Sequence, residues 1–286
     1  MSEENIVYHY TSLNALFNII ERQVIWLTDL HSSMDINEMK YGEEIIKLKG
    51  EEMLGIKTSR YLSAHKYYAL SCTAYNDSYF HFNNYGDSCK GVAIGINANF
   101  IEDSLGCNCA NLLRDHLHFS KVLYDKAKFV KGIVDCLNVV KEESDNAKRE
   151  SQLAMVYNCY NACLKRPEFE LEHEIRFTYC QDYRGRRIGS AKKLNGEEIN
   201  LFEFISNIGL EEYRYDEECP KLKYNCFGNR IRKYYEMSLK EFGINNIIKS
   251  VVIGPKSKQS KSELEKYLFS KGLTAKVIES KIKLRD

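Results

Sequence analysis

Apolar and polar residues alternate in short runs along this chain, and between those runs apolar residues recur at helical spacing. Ile6-Val7-Tyr8-His9-Tyr10 has the β-branched and aromatic content of a short strand. Thr11 or Ser12 then suits the N-cap of a helix over 13–22, whose Leu16, Phe17, Ile19 and Ile20 make one apolar face. Val24-Ile25-Trp26-Leu27 predicts a second strand, and a polar loop leads to a charged helix over 37–54. Residues 68–73 and 91–96 predict two more strands, joined by an aromatic segment from Tyr79 to Tyr85. Residues 99–165, rich in Ala, Leu, Lys and Glu, predict a mostly helical layer. Strand character returns over 172–179, followed by a basic loop or hairpin over 182–195 and a further helix over 228–242. The last unit reads as a strand over 250–253, a turn at Gly254-Pro255, a helix over 260–271 and a strand over 274–278.

Strands separated by helices of unequal length predict an α+β fold rather than a regular parallel sheet. Only three prolines occur, and no Gly/Ser-rich linker divides the sequence. A single domain over 1–286 is therefore expected, with a helical insertion over 99–165 and a second insertion over 183–245.

Composition narrows the setting more than the activity. A chain of 286 residues, 44% hydrophobic and 28% charged, can bury a sizeable core. Its 41 basic and 40 acidic side chains leave a formal charge of +1, too little for a global field toward nucleic acid or an anionic membrane. The segment 1–5 lacks the basic start and apolar stretch of a signal peptide, and no apolar run approaches the roughly 18 residues of a membrane span. A cytoplasmic protein with no membrane partner is expected. Ten scattered cysteines then read as reduced thiols. The closest pairs, Cys107 with Cys109 and Cys159 with Cys163, lack the repeated CxxC spacing of a zinc site, so no metal is expected.

Candidate chemistry lies where polar residues interrupt apolar strands, because an unpartnered polar group there costs free energy. His9, Ser71-Cys72-Thr73 and Glu172-His173-Glu174-Ile175-Arg176 are such places. Each also has a structural explanation. His9 suits an edge strand or a core position satisfied by a carbonyl, and Glu172, Glu174 and Arg176 suit a surface charge ladder. Tyr79, Phe80, Phe82 and Tyr85 suit aromatic packing. The basic residues Arg184, Arg186, Arg187, Lys192 and Lys193 fit either a solvated loop or a contact for an acidic acceptor.

The order of these segments carries a resemblance across nearly the whole chain. Tyr8-His9-Tyr10-Thr11-Ser12 before a helix, Met34-Asp35-Ile36-Asn37-Glu38, Leu70-Ser71-Cys72-Thr73 with Asp77, Phe82 and Tyr85, and the strand from Gly91 come first. Lys165 and Phe169 before Glu172-His173-Glu174-Ile175-Arg176, Val251 to Pro255, and Ser280 to Arg285 follow. This series closely resembles DUF2971, a bacterial family of unknown function, which in turn is similar to the ADP-ribosyltransferase superfamily.

The resemblance implies an ADP-ribosyltransferase-like fold of split antiparallel β-sheets with helical insertions, enclosing a cleft for NAD. It implies catalytic roles for Glu174, His9 and Tyr85, and NAD contacts from His9, Tyr10, Thr11, Ser71, Thr73, Phe82, Tyr85 and Arg176. Arg176 would either grip the pyrophosphate or lock a neighbouring glutamate. NAD would be the substrate, with no metal. The implied activity is transfer of ADP-ribose to a macromolecular acceptor, protein or nucleic acid, in the manner of a bacterial toxin or phage-defence effector. NAD hydrolysis at the same site and a non-catalytic module binding a nucleotide or partner are the alternatives. Few residues suffice for this chemistry, because cleaving the nicotinamide–ribose bond expels a neutral ring and leaves an oxocarbenium-like sugar that a carboxylate stabilises.

Overall fold

The computed structural model describes residues 5–32, 37–55, 65–99, 117–145, 148–149, 152–153, 156, 160–182, 191–193, 213–215, 222–227, 230–240 and 242–284. Strand β1 (Ile6–Thr11) runs into helix α1 (Leu13–Arg22), where the Ser12 hydroxyl accepts the Ala15 N–H and so caps the first turn. Leu16 and Ile20 carry its buried face. Strand β2 (Val24–Asp29), helix α2 (Glu38–Leu54), strand β3 (His65–Thr73), helix α3 (Tyr79–Tyr85) and strand β4 (Val92–Asn97) follow. Then come β5 (Leu117–Lys121), helix α4 (Lys126–Lys141), β6 (Glu174–Asp182), β7 (Ala191–Lys193), β8 (Tyr213–Tyr215), β9 (Lys223–Phe227) and β10 (Arg230–Ser238). The chain closes with β11 (Ile248–Ile253), helix α5 (Lys261–Ser270) and β12 (Lys276–Glu279).

The fold is α+β, built on a ten-stranded mixed sheet in the order β12-β11-β4-β1-β3-β2-β10-β9, with β6 on β3 and β5 on β6. The pair β11/β12 is parallel and the other named neighbours are antiparallel. β7 and β8 form a separate two-stranded ribbon. One junction governs the rest of the architecture. β1 meets β3 at a single register pair, Tyr8 with Thr73, whereas β3 pairs with β6 along its whole length from His65 to Thr73. β2 joins β3 only through Thr28 with Ala69 and Asp29 with Tyr68. The sheet is thus nearly divided into a half made of β12, β11, β4 and β1 and a half made of β5, β6, β3, β2, β10 and β9.

One main apolar core spans both halves. β4 is buried at every position: Val92, Ile94 and Ile96 enter the main core, while Ala93 joins Tyr10, Phe82, Cys89 and Val252 in a smaller one. A separate core between α2 and α4 gathers Ile45, Ile46, Phe129, Ile133, Leu137 and Val140. Its helix α4 is capped by Asp125, which accepts the N–H groups of Ala127 and Lys128.

Several local expectations change in three dimensions. The segment expected as a helix over 228–242 contains strand β10 instead, because the core takes Tyr235 and Met237 and β2 supplies a full antiparallel ladder from Val24 to Thr28. β10 also places part of the stretch 183–245 inside the main sheet. Within 99–165, α4 is helical but β5 is a strand on β6, and residues 100–116 lie outside the described residues. Glu172 ends a 3-10 helix, Pro167–Glu172, rather than opening the strand; His173 then turns the chain with φ 40° and β6 begins at Glu174. The cysteine pair at 107 and 109, Cys159, the segment 34–36 and the basic residues 184–187 also lie outside the described residues. Among the described residues, Cys72 and Cys89 are buried thiols in the cores. No helix among them is long and apolar enough to cross a membrane.

Candidate active site

The cleft lies where β1 leaves β3. Beyond the Tyr8–Thr73 pair the backbone ladder stops, and the His9 ring takes over: its Nδ1–H donates to the Ser71 carbonyl at 2.9 Å. This contact fixes the tautomer and leaves Nε2 as an acceptor. Burial holds the His9 pKa below its ordinary 6.5, so the ring is neutral near pH 7.

His9, Tyr85 and Glu174, drawn from β1, α3 and β6, line one cavity of about 260 Å³. Tyr10, Ser71, Thr73 and Arg176 line it as well. A second cavity of about 500 Å³ opens beside α1 and shares His9, Thr28 and Ser71 with the first; Thr11 lines this one. His9 therefore stands between two chambers of one split.

The floor of the first chamber is a buried charge network. Arg176, only 1% exposed, donates from Nε to Glu174 at 2.8 Å, from Nη2 to Glu174 at 2.7 Å and to Glu38, and from Nη1 to the Ala162 carbonyl at 2.8 Å. Lys165 Nζ lies 2.5 Å from Glu172, 3.3 Å from Glu174 and 3.8 Å from Glu38. Three carboxylates thus face two cations. The cations and the Ser71 hydroxyl overcome desolvation and hold Glu174 ionised, its pKa down at about 2. Reciprocally, the carboxylates overcome the burial of Lys165 and Arg176 and raise both pKa values. The Tyr124 hydroxyl accepts the Glu174 backbone N–H at 3.0 Å.

Tyr85 closes this floor toward solvent. The residue is 39% exposed while its hydroxyl donates to Glu172 at 2.7 Å, and burial together with that carboxylate raises its pKa. Next to it His81 is buried and its pKa lowered, chiefly by desolvation. The neutral ring donates from Nε2 to the Glu172 carbonyl and accepts the Ser78 hydroxyl at Nδ1, both at 2.8 Å.

One expected ligand contact is corrected by packing. Phe82 is wholly buried and meets Tyr10 edge-on at 4.8 Å, so it is a core residue with no face for a ligand. Tyr10 borders the cleft but is 6% exposed, and its hydroxyl is engaged with the Tyr75 carbonyl and the Ser78 N–H. The expected alternatives for Arg176 also resolve: every guanidinium nitrogen is used inside the network, which fits the locking role and not a pyrophosphate grip. Conversely, Glu38, Lys165 and His81 carry the network although no role was expected of them. Glu38 and Lys165 stand in the motifs that define the resemblance, the only sequence signal that could have pointed to them. Among the described residues no group of three or more His, Cys, Asp or Glu side chains is arranged to hold a metal ion.

Fold and site together define an α+β protein whose sheet parts over a buried carboxylate–cation network. The family described as Protein of unknown function (DUF2971) matches residues 82–177, a span that holds the motifs from Phe82 to Arg176 and not those at 8–12, 34–38, 70–77, 251–255 and 280–285. That span carries Tyr85, Lys165, Glu172, Glu174 and Arg176, while His9 and Ser71 come to the cleft from outside it. No curated protein and no solved structure matches the chain.

Proposed function

We propose that the protein is an NAD-dependent ADP-ribosyltransferase acting on a macromolecular acceptor, of the kind used by bacterial toxins and phage-defence effectors, on an ADP-ribosyltransferase-like split sheet. The carrying observation is the meeting of His9, Tyr85 and Glu174, from positions far apart in the chain, around one cavity at the split. In this reading the bond between the ribose C1 and the nicotinamide nitrogen breaks, its electron pair stays on nitrogen, and the ring leaves neutral. The excess of one carboxylate over the cations favours the positive charge that develops on the sugar. His9 Nε2 accepts a ribose hydroxyl, and the half-exposed Tyr85 ring offers a face to nicotinamide. An acceptor nucleophile then bonds to C1 and gives up its proton to solvent water.

The experiment is transfer of labelled ADP-ribose from NAD to macromolecules in a cell lysate. Label appears with the wild-type protein and falls by about 100-fold or more with Glu174→Gln. Label-free release of nicotinamide would assign water as the acceptor and make the protein an NAD glycohydrolase. One observation favours a third reading, a non-catalytic nucleotide-binding module: Glu174 already receives donors from Arg176, Lys165 and Ser71. That reading predicts calorimetric binding of NAD, weakened by His9→Ala, without turnover.

A further inference from the structure

Two segments that mark the resemblance take no part in the cleft lining: Asp77, and the run from Ser280 to Leu284 after β12. The structure joins them. The Asp77 carboxylate accepts the Ser280 hydroxyl at 2.6 Å and the Lys281 N–H at 2.8 Å. The Ser280 hydroxyl oxygen accepts the Ile282 N–H at 3.1 Å, and Ile282 and Leu284 pack on the small core around Tyr10 and Phe82. From this clamp, contacts run inward without a break. Tyr10 holds the same loop from below, through the Tyr75 carbonyl at 2.8 Å and the Ser78 N–H at 3.1 Å. Ser78 bonds His81, His81 bonds the Glu172 carbonyl, and the Glu172 carboxylate receives the Tyr85 hydroxyl.

We infer that Asp77 and Ser280 are positioning residues: their clamp fixes the loop over 74–78 and, through Ser78 and His81, sets Glu172 and Tyr85 at the cleft. The apolar packing of Ile282 and Leu284 is enough to hold the segment down, whereas a carboxylate with two directed donors fixes the loop in one geometry. Coupling of this kind travels through contiguous hydrogen bonds, and every link in the path is a direct contact. The inference rests on the proposed activity only for its kinetic readout.

Hydrogen exchange of the full chain, read by mass spectrometry, tests the coupling without any substrate. With Asp77→Asn, exchange speeds up across 78–85 and 172–174 and stays unchanged in α5; Ser280→Ala, which removes the hydroxyl's two bonds but leaves the Lys281 N–H on Asp77, gives the same pattern at smaller amplitude. Acceleration confined to 75–77 and 280–284 in both variants would overturn the inference. In nicotinamide release from NAD with macromolecules of a cell lysate as acceptor, Asp77→Asn lowers kcat by about tenfold with KM changed by less than about twofold, since a misplaced site loses rate before affinity. An unchanged kcat would equally refute it. If the wild-type protein releases no nicotinamide, the proposed activity fails by itself and the exchange pattern alone decides the clamp.

Discussion

The two halves of the sheet treat polarity in opposite ways. β4, at the centre of one half, is buried at all positions and apolar from Val92 to Ile96. β6, between β5 and β3 in the other, buries Glu174, Arg176 and Thr178 on one face and Ile175, Phe177 and Tyr179 on the opposite face. Stability alone would favour the first solution, because well-packed apolar residues replace a buried ion network at no loss and often with a gain. The charges in β6 therefore mark the half where chemistry is expected, and the line between the halves is where the cleft opens.

Breaking that contrast on its polar side gives the largest effect. Arg176→Met leaves Glu38 and Glu174 buried beside Lys165 alone, and urea denaturation should show a loss of about 3–5 kcal/mol. A loss under about 1 kcal/mol would mean that the network relaxes into solvent. On the apolar side, Ile94→Ala should cost about 2–5 kcal/mol by opening a cavity, while NAD affinity measured by calorimetry stays as in the wild type. Weakened NAD binding in that variant would show that the halves are not separable.

Acid sharpens the comparison through the signs of the shifts. Glu174 has a folded pKa of about 2 against an ordinary 4.5, so its contribution is complete above about pH 4.5 and disappears as pH falls toward 2. His9 and His81 have pKa values lowered from 6.5 by burial. Their neutral forms favour the fold above pH 6.5, and that contribution shrinks below it as the unfolded chain takes up protons. Urea midpoints measured across pH should fall in two stages, and Glu174→Gln should flatten only the lower stage. A single stage unaffected by that change would sever Glu174 from the acid limb. The smallest effect comes from Tyr85→Phe, which removes one hydroxyl bonded to Glu172 and should cost about 1 kcal/mol in the same assay.

Local signals in the sequence reached far into the apolar half and less far into the polar one. The Ser12 cap, the apolar run of β4 and the strand–turn–helix–strand unit at 248–279 depend on neighbours in the chain, and all are present. β10 escaped because its helical spacing was overridden by pairing with β2, a partner some 200 residues away in the chain. The spacing of Glu172 and Glu174 suggested one strand face, but the left-handed turn at His173 brings the two carboxylates to the cleft from different elements. The resemblance implied a ligand contact from Phe82, whereas the close packing of β1, α3 and β4 shows it to be core, as its aromatic character allowed. The partnership of Glu38 with Arg176 has no sequence signature, since it forms between α2 and β6 on folding.

Nicotinamide release and ADP-ribose label transfer from NAD by the purified protein supplied with macromolecules of a cell lysate as acceptor, compared side by side with His9→Ala, Tyr85→Ala and Glu174→Gln, test the central claim most directly. The cleft as described predicts release by the wild type and a fall of about 100-fold or more in Glu174→Gln, with melting temperatures showing that each variant remains folded. Undiminished turnover in folded Glu174→Gln, or no release and no label transfer by the wild type, would contradict it.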